Sequence, residues 1–117
     1  MKIGIIDDDI QFSEILKNRI KNSNYFNGHT IDVINDHFQS PNLQDYDYLF
    51  IDILLVQDNG IMLAKRIKNK NTKIIFVSSN ETLVYDCFDI HLYFFIRKEF
   101  YEDDFNRLLM KINKDEA

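Results

Sequence analysis

Five short runs of Ile, Val, Leu and aromatic residues recur along the chain: KIGII (2–6), TIDVI (30–34), YLFIDI (48–53), KIIFVS (73–78) and LYFFI (92–96). Most lack the alternation of a strand with one wet face, which is the pattern of parallel strands covered on both sides. Segments with helical spacing lie between them. Phe12, Ile15, Leu16 and Ile20 keep the i, i+3, i+4 rhythm, as do Ile61, Ala64 and Ile67, then Val84, Cys87 and Phe88, and finally Phe105, Leu108, Leu109 and Ile112. The second connection, NDHFQSPNLQDY (35–46), breaks that rhythm, since Pro41 and several turn formers leave room only for a short or irregular helix. Strand and helix in strict alternation predict a doubly wound α/β domain: an open, five-stranded parallel sheet with right-handed crossovers.

With 117 residues the chain suits one domain with its own core, spanning 1–117. Its formal net charge of −5 argues against a broad grip on nucleic acid, which needs a surplus of Lys and Arg on some face. The single cysteine, Cys87, has no internal disulfide partner, and a buried free thiol suits a reducing, cytoplasmic setting. No apolar run approaches the ~18 residues of a membrane span, and three acids follow the first apolar run before a signal-peptide core could form. The histidines, His29, His37 and His91, are scattered without ligand spacing.

In open α/β sheets ligands bind beyond the carboxyl ends of the strands. The first run ends in Asp7, Asp8 and Asp9, the third carries Asp52, the fourth ends in Ser78 and Ser79, and the fifth runs into Arg97 and Lys98. Asp9 is also well suited to cap the first helix. Carboxylates gathered in a partly desolvated crevice resist ionisation, so a positive partner is expected. Mg²⁺, which takes oxygen ligands and needs only one or two carboxylates beside a phosphate, suits Asp7 and Asp8. Asp52 could then act as nucleophile toward a phosphoryl group, with Lys98 and the Ser78 hydroxyl neutralising the phosphoryl oxygens.

The set IIDDD, FID, FVSS and FIRK resembles the receiver domain of bacterial two-component response regulators over essentially the whole chain. Gly60, eight residues after Asp52, matches that family's loop between the third strand and third helix. The resemblance implies a flavodoxin-like (CheY-like) sheet of strand order 2-1-3-4-5. It also implies Asp52 as phosphoacceptor and a Mg²⁺ site of Asp7, Asp8, Asp52 and the Leu54 backbone carbonyl. Ser78 becomes the switch hydroxyl, Phe95 the switch aromatic and Lys98 the phosphate-facing lysine. A sensor histidine kinase would be the phosphodonor. Phosphorylation would reshape the face of the fourth helix, fifth strand and fifth helix, near Tyr85, Phe88, Tyr93 and Phe105, to drive homodimerisation or to act on an effector domain in transcription regulation. The FIRK ending and the short second helix resemble receivers that precede LytTR-type DNA-binding domains, which would place an effector beyond Ala117.

The pattern departs from the family in places. Glu99 follows the lysine where the family usually has proline, often in a cis peptide, and a cis bond without proline costs ~3 kcal/mol or more. Ile10 and Val56 also replace common prolines, and Ser78 stands for a threonine. Two rival readings remain at this point. A degenerate receiver would bind partners without phosphorylation, though it would be expected to lack an acid, the phosphoacceptor or the lysine, and all are present. A small haloacid-dehalogenase-like phosphatase would want an acid two residues after the nucleophile, where this chain has Leu54. The expectation is a phosphorylation switch rather than a turnover enzyme.

Overall fold

A computed structural model describes residues 1–36, 42–55, 58–80, 82–83 and 90–116. His37, Pro41, Val56, Val84, Tyr85, Cys87 and Phe88 lie outside the described residues, so the helix expected around Cys87 does too. Five parallel strands form one sheet: β1 (Lys2–Ile6), β2 (Thr30–Ile34), β3 (Tyr48–Asp52), β4 (Lys73–Ser78) and β5 (Leu92–Arg97). Their order is β2-β1-β3-β4-β5, as expected. The principal helices are α1 (Ile10–Lys21), α2 (Gly60–Lys65) and α3 (Tyr101–Asp115). Among the described residues no helix is long and apolar enough to cross a membrane.

The absence of alternation in the strands has its cause in two cores, one on each face of the sheet. Ile3, Ile5, Tyr48, Phe50, Ile75 and Val77 pack with Leu16 and Ile20 of α1 and with Phe105, Leu108 and Ile112 of α3. The intervening residues Ile6, Leu49, Ile51, Ile74 and Phe76 pack with Ile61, Leu63 and Ala64 of α2. A strand buried on both faces selects apolar residues at odd and even positions alike. Asp47 ties the amino edge of the sheet together: its side chain accepts from Lys2 N, its own N–H donates to Lys2 O, and its carbonyl accepts from Lys73 N.

Local chemistry sets the helix ends. Asp9 caps α1 by accepting from Phe12 N at 3.1 Å, and Arg19 and Lys21 in the last turn suit the negative end of the helix dipole. The turn after α1 needs φ of +83° at Gly28, a conformation that glycine adopts without cost. Among its described residues the weak second connection contains a 3₁₀ turn, Leu43–Asp45, whose Asn42 cap accepts from Gln44 N.

Three expectations need correction. The third helical segment stops at Lys65, so Ile67 lies past its end, in a turn closed by its N–H to Ala64 O. Phe105 of α3 is fully buried against Phe26 and Phe50, so it belongs to the core and not to a switch face. A helical period identifies a buried stripe, not which layer that stripe meets. A two-residue antiparallel ladder, Leu54–Leu55 with Asp58–Asn59, fills the loop after β3, where no pairing was expected.

Candidate functional site

Strand register brings the acids together. Ile5 of β1 pairs with Phe50 of β3, so two residues further on the chain Asp7 and Asp52 arrive side by side at the carboxyl edge. Both continue the parity of the core facing α1 and α3. Across β3, Asp52 pairs with Val77, and Val77 with Ile96 of β5, which sets Lys98 two residues past Ile96 on the same side. The result is a closed set of contacts. Lys98 Nζ donates to Asp52 Oδ2 at 3.0 Å and lies 3.1 Å from Asp7 Oδ2. The same ammonium sits 4.7 Å above the Phe12 ring of α1.

The acids are buried, Asp7 at 2% and Asp52 at 7% exposure, and their second oxygens are held by backbone donors. Asp9 N donates to Asp7 Oδ1 at 2.8 Å, and Leu54 N donates to Asp52 Oδ1 at 3.0 Å. Gly60 makes this arrangement possible. Its N–H donates to Ile53 O, and a Cβ at this position would stand 2.2 Å from Asp52 O and 2.9 Å from Ile53 Cα. Any larger residue would collide with the backbone that carries Asp52.

One cation for two buried acids leaves the site short of positive charge. Burial, joined by repulsion from Asp52 and opposed by the Asp9 N–H and Lys98, pushes the Asp7 carboxyl up to about 6. For Lys98 burial disfavours the charged form, but the bonds and charges of Asp52 and Asp7 outweigh it and hold the ammonium above its ordinary value. Asp8 follows Asp7 at the rim and is half-buried. Among the described residues no three His, Cys, Asp or Glu side chains converge tightly enough to hold a metal ion by themselves. Asp7 and Asp52 are thus gathered around an ammonium, with Asp8 outside that contact.

Ser78 ends β4 at 0% exposure and accepts from Asn80 N at 3.0 Å. It also lines a pocket of about 220 Å³ with Ser79, Asn80, Arg97, Glu99 and Phe100, just past the ends of β4 and β5. Phe95 is half-buried against the core under α2. The Lys98–Glu99 peptide is trans and opens a 3₁₀ turn, Lys98–Phe100, that leads into α3. Two partners of this site are not legible as such in the sequence: Phe12 reads only as part of a helical stripe, and Asp104 belongs to no pattern. Phe12 lies under the Lys98 ammonium, and Asp104, seven residues after Arg97, binds its guanidinium.

Comparison with known proteins gives a consistent picture. The protein-family description "response regulator receiver domain" matches residues 3–112. The nisin biosynthesis regulatory protein NisR of Lactococcus lactis subsp. lactis is 32% identical over 82 residues, which are 69% of this chain and 35% of that protein, so the chain spans about a third of that relative's length. Among solved structures, the signal receiver domain of the DNA binding response regulator protein merR from Colwellia psychrerythraea 34H superposes with a TM-score of 0.82 at 19% identity, covering 97% of this chain and 98% of that one. The response regulator TrrA from Thermotoga maritima, solved in complex with Mg(2+)-BeF, gives a TM-score of 0.72 at 26% identity, covering 97% and 96%. The chain belongs to the receiver domains of two-component response regulators.

Proposed function

We propose that Asp52 accepts a phosphoryl group and that this charge switches the domain. The observation that carries the reading is the Lys98 ammonium held between Asp52 and Asp7 at the carboxyl edge of the sheet. The Asp52 carboxylate is held in place for attack, with Oδ2 accepting from Lys98 Nζ at 3.0 Å and Oδ1 from Leu54 N at 3.0 Å. In the transfer step an Asp52 carboxylate oxygen forms a P–O bond as the donor's P–N bond to a histidine imidazole breaks. The imidazole leaves and regains its proton from solvent. Lys98 then lies beside the developing charge on the phosphoryl oxygens, which is where a fixed cation lowers the barrier.

Mg²⁺ fits the donor set, because two buried carboxylates share one ammonium. Asp7, Asp8 and Asp52, with the Leu54 backbone carbonyl, would hold it, and when bound it would neutralise phosphoryl oxygen charge. The neighbouring TrrA structure, a complex with Mg(2+)-BeF, supports this reading.

The acyl phosphate carries about −1.5 to −2 charge. Ser78, one residue beyond the register partner of Asp52, is the hydroxyl that would answer it, by giving up its bond from Asn80 N. Its movement would let Phe95 repack. Tyr93 and Phe95 lie on β5, the edge strand expected to pair with a second copy or with an effector domain. The exposed Ile10, Leu54 and Phe100, each two residues after Asp8, Asp52 or Lys98, offer apolar contact to a sensor histidine kinase. The FIRK ending and the short 3₁₀ turn at Leu43–Asp45 support a LytTR-type subfamily. Transfer from a radiolabelled histidine kinase tests the proposal: label should pass to the parent chain and not to Asp52→Asn, whereas equal labelling of both would overturn it.

A further inference from the structure

Among the described residues the turn that carries Lys98 has no side-chain cap. It contains no proline, Arg97 at its start makes no side-chain cap, and Phe100 at the start of α3 makes none either. Yet the ammonium is held on two carboxylates to within hydrogen-bond distance. A four-carbon side chain leaving an unfixed turn would lose that placement to its own rotamer freedom.

The fastening comes from Asp104, one turn into α3 and 4% exposed. Arg97 N donates to Asp104 Oδ2 at 2.8 Å, Arg97 Nε donates to the same oxygen at 2.9 Å, and Nη2 donates to Oδ1 at 2.8 Å. Arg107 Nη1 adds a fourth bond at 3.0 Å. Burial opposes ionisation of this carboxyl, but the Arg97 bonds outweigh it and hold Asp104 below the usual carboxylate range. The planar fork of Arg97 and its own backbone N–H are therefore locked to one carboxylate, a geometry no other side chain can reproduce. The guanidinium carbon lies 4.6 Å from the centre of the Phe100 ring. Arg97 and Phe100, which bracket Lys98 and Glu99, are thus joined to each other and to α3.

We propose that Asp104, acting through Arg97, is the positioning residue for Lys98. The ion pair fixes the junction of β5 with α3, and this fixes where the ammonium stands relative to Asp52 and Asp7. The inference deepens the phosphoacceptor reading, but its first test needs no phosphorylation.

In the whole chain labelled with ¹⁵N-lysine, the Lys98 ammonium should give an exchange-protected NMR signal in chelator without phosphodonor. Asp104→Asn and Arg97→Gln should abolish that protection, and Arg97→Lys, which keeps a charge but loses the fork, should restore part of it. Glu102→Gln, an exposed acid in the same turn of α3, should leave it unchanged. Labelling by acetyl phosphate at saturating donor should slow by about a hundredfold in Asp104→Asn, with the donor concentration for half-maximal rate unchanged, as expected for misplacement of a charged group. An unaltered Lys98 signal in folded Asp104→Asn or Arg97→Gln would overturn the proposal, as would a parent chain with no protected Lys98 signal. If Asp104→Asn fails to fold, Arg97→Lys decides the question by the same signal. A parent chain that shows the signal and its loss on substitution, but takes no phosphoryl group, would overturn the phosphoacceptor reading alone.

Discussion

Lys98 donates to Asp52 across 3.0 Å although the two lie 46 positions apart, and the same ammonium reaches Asp7 at 3.1 Å. Removing it strands two buried negative charges. Lys98→Ala is therefore expected to destabilise the fold by about 3–5 kcal/mol at neutral pH in chelator, the usual cost of breaking a buried ion pair from one side. Urea denaturation measures this, and part of the loss should return in millimolar Mg²⁺.

The Asp7 carboxyl gives stability a pH dependence of its own. Its folded value of about 6 lies above the ordinary 3.8, so the folded chain binds the extra proton between those limits. The stabilisation is fully present below pH 3.8 and is lost as pH rises through 6, a change of order 3 kcal/mol. Asp7→Asn removes the titration. In chelator at neutral pH it should be more stable than the parent chain, by up to about 3 kcal/mol, with the difference vanishing near pH 4. Asp104, held low by Arg97, acts in the opposite sense: its contribution is present above the ordinary carboxylate range and is lost on acidification.

A divalent cation that binds only the folded chain must raise the melting temperature. At ten times its dissociation constant the gain is about 1.4 kcal/mol, or a few degrees for a domain of this size. Asp8→Asn should weaken the response to Mg²⁺ in a thermal melt.

Gly60→Ala tests the backbone contact behind Asp52. The added methyl would meet Asp52 O at 2.2 Å, and a carbonyl in a paired strand cannot swing aside as a flexible side chain could. A loss of about 1–3 kcal/mol in chemical denaturation is expected, together with slower labelling at Asp52.

The five apolar runs marked the strands almost to the residue; in β1, β3 and β4 the cause is burial on both faces, whereas the edge strands β2 and β5 are only partly buried. The same logic exposed the site, since Asp7, Asp52 and Ser78 are polar residues where an apolar run should continue. What the sequence could not reveal was the set of contacts made across the fold. The register of β1 on β3 decides that Asp7, and not Asp8, faces Asp52, and registers depend on the whole sheet. The Arg97–Asp104 pair bridges a strand and a helix at a spacing that belongs to neither period, so no pattern announces it. Phe105 had the right helical rhythm but faces Phe26 and Phe50 in the core, because both sides of this sheet are covered and the period does not choose between them.

The most direct measurement is the intact mass of the chain after incubation with acetyl phosphate and Mg²⁺, followed by mapping of the modified peptide. A gain of about 80 Da, the mass of a phosphoryl group, located on Asp52 and absent from Asp52→Asn, is the predicted result. No gain in mass, or a phosphoryl group on another residue, would contradict the account.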